Sequence, residues 1–581
     1  MMNIYNYFSL HPATIIVLSV IALICANRSW RIHTMLTIVA SAISGYMLYE
    51  LPVENIFQLF GVSISYSGSV QNKIIGAAFL IILFTANINS IAHNRYSEVI
   101  FGSLYGACAI ICLLASDFVS MFVALELMAV FSSIIIFMGG RKDAFLAAKK
   151  YFITHLLSSN MILVTIIHVF MVSKSFEIIE IGDILGQTQY SAPILLIGLI
   201  GLLINVAVPP VSGWMINYYP SATSSGFIYL ISFTTKLSVM LIFKLFAGCE
   251  LLKYAGIVMI IHSCLKVIFE EENMRILCYF SIISMGFMLI GLSAQNSDLQ
   301  NLAIYYLFIS ILAILTMSLA VSALAESGKG HLIFMIGLFT GLSTLLAVPG
   351  TFPFALKSVV SGYFKADGLI YGVILFSVFI IGFAFPWKRI YYQYFKNCSS
   401  KIAQTSRAHL LCISSARLPF ISKFNSWIIG SSLNASKVTA ASSENLLSQF
   451  IIIITSILTI ICTIFGDDIL RLDLEEYSGH TFQQIIIILS SLILGLTVNY
   501  KRFITRPISI IEWFGDIIFW LSKYQQKSKS SSEEEVISLN NVEFQWRKFL
   551  CQFHNQQTAI AIVFILLTVL LFMLIIPFNY Y

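Results

Sequence analysis

Charge is scarce in this chain. Only 34 Lys/Arg and 28 Asp/Glu occur in 581 residues, 11% of the total, against roughly 25% in an ordinary soluble domain. A water-soluble globule cannot bury the apolar remainder. Disordered, collagenous and coiled-coil chains are excluded too, because each needs a polar or repetitive composition. The short segments of alternating polarity that mark a membrane β-barrel are missing. Paired cysteines are missing as well: the ten, at 25, 108, 112, 249, 264, 278, 398, 412, 462 and 551, include no C-x-x-C and lie mostly in apolar runs. They read as packing residues, not as disulfides or zinc ligands. No P-loop, Rossmann fingerprint or haem-attachment motif is present, so no cofactor is expected. No basic patch of the kind that binds nucleic acid stands out. The first residues, MMNIYNYFSLHP, lack the basic start and small-residue cleavage site of a secretory signal, so the first apolar run is expected to remain as a membrane helix.

What is present is hydrophobicity in long runs: 58% hydrophobic residues and a mean hydropathy of +0.87. About 20 apolar residues cross ~30 Å of hydrocarbon as a helix. The sequence predicts an all-α, polytopic bundle with spans near 13–26, 34–50, 73–92, 98–116, 118–138, 151–173, 191–216, 223–247, 254–269, 277–294 and 302–325. A Pro/Gly-interrupted segment follows at 332–365, then spans at 369–386, 450–466, 484–499 and 558–577. The expected count is about 14–17 spans. Arg28 and Arg31 follow the first span, and Arg95, Arg141, Lys142, Lys149, Lys150, Lys388 and Arg389 then fall on the same side by parity. Positive charge marks the inside, so an integral protein of a bacterial inner membrane with its N-terminus outside is expected. Four regions follow: N-terminal helices to 97, a core over 98–386, a basic interfacial segment over 387–449, and a C-terminal extension over 450–581 with a polar loop at 501–548.

In such a bundle the informative residues are ionisable groups at depth, which cost a few kcal/mol each and mark ion paths. Glu126 sits mid-run in DFVSMFVALELMAVFSSIII. Lys236 is central in GFIYLISFTTKLSVMLIFKLF, whereas Lys244 lies nearer the span's end, where a lysine can snorkel. Lys357 follows a helix break at Pro349, Gly350 and Pro353 in LLAVPGTFPFALKSVV. A matching break stands at Pro209 and Pro210 in GLLINVAVPPVSGWM. Broken helices at membrane depth line protein-enclosed cavities, and two in corresponding positions point to an inverted-repeat transporter. His155, His168 and His262 also lie in spans; each has the chemistry of a proton relay and equally that of a satisfied packing residue. His155 and His262, with Lys244, are retained as relay candidates. A membrane enzyme would need a cluster of acids or metal ligands in its loops, and Glu50, Glu54 and Glu177 form none.

Together these segments resemble the antiporter-like membrane subunits shared by respiratory complex I and Mrp-type cation/proton antiporters, over roughly residues 70–395. Asp117 to Glu126 looks like the family's D-x-(apolar)-E helix, and AFLAAKKYFITHLLSSNMILV like the helix after it. NVAVPPVSGW is similar to K-A-A-x-x-P-x-(H/Y)-x-W, TTKLSVMLIFKLF to T-K-x-G-x-Y-x-x-x-R, ENMRILCYFSIISMGFMLIG to D-x-K-R-x-L-A-Y-S-S-I-x-Q-x-G, and VPGTFPFALK to P-P-x-x-G-F-x-x-K. The resemblance implies a bundle of two inverted repeats in which protons pass along a midplane chain through Glu126, Lys236 and Lys357. It implies neighbouring membrane subunits as partners, with protons and Na+ or K+ as the ions moved. No redox chemistry is implied for the chain itself, which would be a translocase subunit within a complex I-type assembly. The family's lysine on the first broken helix falls on Asn205, and its histidine or tyrosine seven positions on falls on Ser212. Ile309 and Ser310 replace its histidines, and Ile314 its central lysine. The resemblance leans toward the D-type member of Mrp antiporters; a complex I-type subunit and a structural paralogue that has lost pumping are the alternatives.

Overall fold

The fold was analysed in a computed structural model, which describes residues 11–25, 29–59, 62–140, 143–178, 191–270, 272–327, 332–347, 351–364, five residues within 367–373, and 444–464. Arg28, Pro349, Gly350, Arg141, Lys142, Lys388, Arg389, all but three residues of the expected span 369–386, the expected spans at 484–499 and 558–577, and the segments 387–443 and 501–548 lie outside the described residues.

Long apolar runs become helices because a chain in hydrocarbon must satisfy its own backbone groups. The described chain runs α1 (Ala13–Cys25), α2 (Trp30–Glu50), a hairpin of β1 (Asn55–Leu59) and β2 (Val62–Tyr66), α3 (Val70–Ala92), α4 (Tyr96–Leu114), α5 (Phe118–Phe137) and α6 (Ala144–Ser173). Then come α7 (Ser191–Asn205), the short α8 (Gly213–Tyr218), α9 (Ser224–Ser232), α10 (Thr234–Phe246), α11 (Leu251–Phe269), α12 (Asn273–Leu292) and α13 (Ser297–Ser327). The last are α14 (Leu332–Leu346), α15 (Phe352–Tyr363) and, here called α16, Glu444–Ile464. Among the described residues eight segments are long and apolar enough to cross a membrane. The protein is thus a polytopic helical bundle, and among the described residues its sheet content is one antiparallel hairpin, in register Asn55 with Tyr66 and Leu59 with Val62.

The hairpin docks at the α4–α5 turn. Asp117 caps α5 by accepting from Ser120 N–H at 2.6 Å and holds the hairpin by accepting from Ser65 N–H at 3.0 Å. Asp117 is therefore a structural carboxylate. The bundle is layered: α9, α10, α12 and α13 are buried on nearly every side, whereas α1, α2 and α6 present exposed apolar faces. α16 packs on α13, α14 and α3, joined by hydroxyl pairs Thr316–Thr459 at 2.9 Å and Thr344–Thr463 at 3.1 Å.

Helix breaks fall where the prolines predict and also where nothing predicts one. α7 stops at Asn205, the backbone turns through Ala207 at φ 66°, Pro209–Pro210 is cis, and α8 starts at Gly213. α14 stops at Leu346, with Ala347 at φ 58°, and α15 starts at Phe352 with Pro353 in its first turn. Both breaks carry the same tripeptide, Ala-Val-Pro, at 207–209 and 347–349. The expected span 223–247 is present as Ser224–Phe246, but its helix is interrupted at Phe233 without proline or glycine. The physical reason is tertiary. Thr234 N–H donates to Tyr105 Oη at 3.1 Å instead of to the preceding turn.

Candidate functional site

A helix end leaves its last carbonyls without intrahelical donors and carries the negative end of the helix dipole. A lysine is the natural partner of both. Each of the three buried or half-buried lysines at depth occupies such an end.

Lys236, 1% exposed, donates to Ile231 O at 2.6 Å, to Thr235 Oγ1 at 3.2 Å and to Ser281 Oγ on α12. Its ammonium thus caps α9 across the break at Phe233. Lys357, 5% exposed, donates to Leu345 O at 2.7 Å, next to the break that ends α14. Its ammonium also lies 4.5 Å from the Phe287 ring centre and 5.4 Å from that of Tyr306, an arrangement in which the aromatic quadrupoles attract the cation. Lys244 donates to Leu113 O at 2.5 Å and Ala115 O at 3.1 Å, closing the end of α4.

The two central lysines share α12. Ser281 touches Lys236, and Phe287, six residues on, touches Lys357. At 1.5 Å per residue the two contact points are about 9 Å apart along that helix. Between them lies Ser284, whose buried Oγ makes no hydrogen bond, and which sits beside Tyr306. Ser281, Ser284, Phe287 and Tyr306 escape sequence reasoning. Serines and aromatics at helical spacing look like packing until their lysine neighbours are placed.

The first break is held without charge. Trp214 Nε1–H donates to Ile204 O at 2.9 Å, where a cap is needed. His155 Nδ1–H donates to Asn205 Oδ1 at 2.9 Å, which leaves Nε2 of a neutral ring as an acceptor. Nε2 has no partner, and neither has Tyr151 Oη. Both residues line a cavity of about 10 Å³, together with Met128, Ser159, Asn205 and Thr234. Such a space holds about one water. The rings of Tyr151, His155, Trp214 and Tyr219 pack around it, with centroids 4.3 Å apart for Tyr151–His155 and 4.6 Å for His155–Trp214. Ser212 is buried at the start of α8 and makes no side-chain cap bond there.

Other sequence candidates are placed elsewhere. Glu126 is partly exposed on the outer face of α5, beside the exposed Val123, Leu127 and Val130, and makes no hydrogen bond or ion pair with the described residues. It is not joined to Asn205, Lys236 or His155 by any described bond. His262 is half-buried on α11, with Nδ1 unpartnered and its ring 6.5 Å from that of Tyr279. His168 pairs with Ser191 Oγ at 3.1 Å. Ile309 and Ile314 are buried apolar side chains of α13, and Ser310 Oγ donates within that helix to Leu307 O at 2.9 Å. No group of His, Cys, Asp or Glu that could hold a metal occurs among the described residues.

Residues 115–385 match the family described as NADH:quinone oxidoreductase/Mrp antiporter, TM. The chain is 24% identical to NADH-quinone oxidoreductase subunit N 2 of Solibacter usitatus, covering 54% of this chain and 71% of that protein. It is 22% identical to the D component of the Na(+)/H(+) antiporter of Bacillus subtilis, covering 60% and 71%. In fold it is similar to a chain of the Mrp complex from a Dietzia species, with a TM-score of 0.63 at 16% identity, covering 82% of this chain and 98% of that one.

Proposed function

We propose that the chain, whose residues 115–385 match the NADH:quinone oxidoreductase/Mrp antiporter transmembrane family, is a proton-translocating subunit of a multisubunit monovalent cation/proton antiporter, in the manner of the D component of Mrp antiporters. That it is an antiporter-like membrane subunit is the family's own statement; the proton path and the type of assembly are our reading. The observation that carries it is the pair Lys236 and Lys357, each buried at a helix break and both in contact with α12. A proton held on Lys236 is stabilised by Ile231 O and Ser281 Oγ. Ser281, Ser284 and Tyr306 supply hydroxyls toward Lys357, while Ile309, Ser310 and Ile314 stand where the resemblance expects histidines and a lysine. Hydroxyls and water relay a proton without bearing a lasting charge, so the lysines remain the resting places.

Glu126 supports the subunit reading. A carboxylate on an otherwise apolar outer face at membrane depth is expensive in lipid and fits a neighbouring membrane protein that offers a donor. The exchanged cation, Na+ or K+, is part of the proposal, as are the bacterial inner membrane and an external N-terminus. The experiment is proton flux in vesicles carrying the assembly purified through a tag on this chain. Flux dependent on Na+ or K+, and abolished by Lys236→Met, supports the antiporter reading. Flux unchanged in Lys236→Met and Lys357→Met overturns it.

A second reading is favoured by the likeness to the N component of quinone oxidoreductases: membership of a complex I-type assembly. Dehydrogenase and quinone-site subunits among the co-purified partners would select it. The uncharged first break, with Asn205 bonded to His155, favours a third, a paralogue that scaffolds its assembly without pumping. It predicts a formed assembly with no flux.

A further inference from the structure

Glu98 is a buried carboxylate at the edge of a span, 3% exposed in the first turn of α4. Its Oε1 accepts from Thr223 Oγ1 at 2.7 Å and from Arg95 Nη1 at 3.4 Å, and its Oε2 accepts from Ser225 Oγ at 2.7 Å. Arg95 reaches the surface, with its side chain 22% exposed. The ionisable side chains facing the carboxylate are therefore Arg95, from the loop before α4, and Tyr229, from α9.

From Ser225 the polar residues of α9 recur at Tyr229 and Ser232, in steps of four and three, and Lys236 of α10 follows beyond the break at Phe233, its ammonium turned back to Ile231 O. The spacing within α9 is one face of a helix, and Ser225, Tyr229, Ser232 and Lys236 are all buried. Tyr229 Oη donates to Asn87 Oδ1 at 2.7 Å and lies 3.3 Å from Ser90 Oγ. Asn87 Nδ2 donates in turn to Ser103 Oγ at 2.9 Å. Ser232 Oγ, in a residue 1% exposed, has no protein partner. A buried hydroxyl left so costs about 1–3 kcal/mol, and a water between polar neighbours is the partner that fits. Six residues of α9 separate Ser225 from Ile231, whose carbonyl takes the Lys236 ammonium, a rise of about 9 Å. The seam thus runs from a buried carboxylate, beside the surface-reaching Arg95, to the central lysine.

We propose that Glu98 is the proton-loading group on the Arg95 side of the membrane, and that Ser225, Tyr229 and Ser232 pass the proton to Lys236. The carboxylate takes one proton from the aqueous phase beside Arg95. Each hydroxyl, with water at Ser232, accepts a proton on oxygen as it releases its own. Neutral Lys236 becomes the ammonium, and Glu98 returns to the carboxylate. This rests on the proton-translocating reading above.

The test is flux in vesicles holding the tagged assembly, with variants Glu98→Gln, Ser225→Ala, Ser232→Ala and Lys236→Met, each checked for yield and melting temperature. Glu98→Gln keeps the shape and removes the exchangeable acid, so flux should fall about tenfold or more with yield and melting unchanged. A purely structural ion pair would move melting instead. Ser232→Ala, which removes one hydroxyl that holds nothing in place, should lower flux severalfold. The variant Ser232→Cys should be modified by a small cationic thiol reagent from the Arg95 side only, against the unsubstituted chain as control. Flux within about twofold of wild type in Glu98→Gln and Ser232→Ala, with Lys236→Met inactive, overturns the seam and leaves the function standing. Should Glu98→Gln fail to assemble, Ser225→Ala and Ser232→Ala decide by the same criterion. Flux retained in Lys236→Met defeats the underlying reading itself.

Discussion

Replacing Lys236 by methionine should abolish proton movement while leaving the fold nearly as stable. The side chains are close in length, and the site changes in two opposing ways. Removing a charge from membrane depth relieves about 3 kcal/mol on insertion scales. Against this, Ile231 O loses the donor at 2.6 Å that caps α9, which costs about 1–3 kcal/mol for an unsatisfied buried carbonyl. Thr235 Oγ1 and Ser281 Oγ lose a charged neighbour but keep carbonyls of their own helices as alternative acceptors. The sum lies within about 2 kcal/mol of zero, or a few degrees in melting temperature. Thermal unfolding in detergent and flux in vesicles, measured on one preparation, test it. Lys244→Met is the control, since Lys244 is tied to Leu113 O and Ala115 O at the end of α4 and should keep its flux. Collapse of the assembly in Lys236→Met, or full flux in it, would refute the reasoning.

Gly102→Ala would set a Cβ 2.5 Å from Tyr229 Cε1 and 2.6 Å from its Cζ; the ring must move, so a loss of about 1–3 kcal/mol and a weakened Tyr229–Asn87 bond are expected, read as a melting shift with reduced flux. A photo-crosslinking residue at Leu127, beside Glu126 on the outer face of α5, should capture a neighbouring membrane subunit; no adduct in the purified assembly would count against a partner on that face. Trp214→Phe removes the donor to Ile204 O and should cost about 1 kcal/mol, visible as faster hydrogen exchange at the end of α7. Just before the first span, burial lowers the pKa of His11 from 6.5 to about 4, and its Nδ1 accepts from Ala13 N–H at 3.1 Å. With the folded value below the unfolded one, its stabilisation is present above pH 6.5 and lost as pH falls toward 4. Exchange protection at the start of α1 should drop over that range, and His11→Gln should flatten the dependence.

Apolar run length makes the bundle legible, because nothing but a helix satisfies its backbone in hydrocarbon. The breaks at Pro209–Pro210 and Pro353 are legible for the same reason: proline cannot sit inside a helix without consequence. The break at Phe233 is not, since its cause, Tyr105 taking the Thr234 N–H, lies 129 residues away in the chain. Depth is readable for Glu126 but facing is not, because α5 is apolar on every side and offers no stripe to orient it. In sequence Glu98 is one more charge at the edge of a span. Only the packing of α9 against α4 turns it into a buried group. The hairpin at 55–66 carries little signal of its own, for its strands are five residues each and shield little.

The lysine-capped ends and the uncharged one differ in heredity as well as in chemistry. At Phe233 the interruption and the ammonium depend on each other: lose Lys236 and the carbonyl of Ile231 is stranded; straighten the helix and the lysine has nothing to hold. Drift at that place must change both together, which few single substitutions do. At Asn205 the indole of Trp214 already holds the stranded carbonyl, so the interruption itself does not hang on the side chain at 205, which is held by His155 instead. Charge can therefore be absent at Asn205 without loss of the break there, whereas at Phe233 the break and the charge go together.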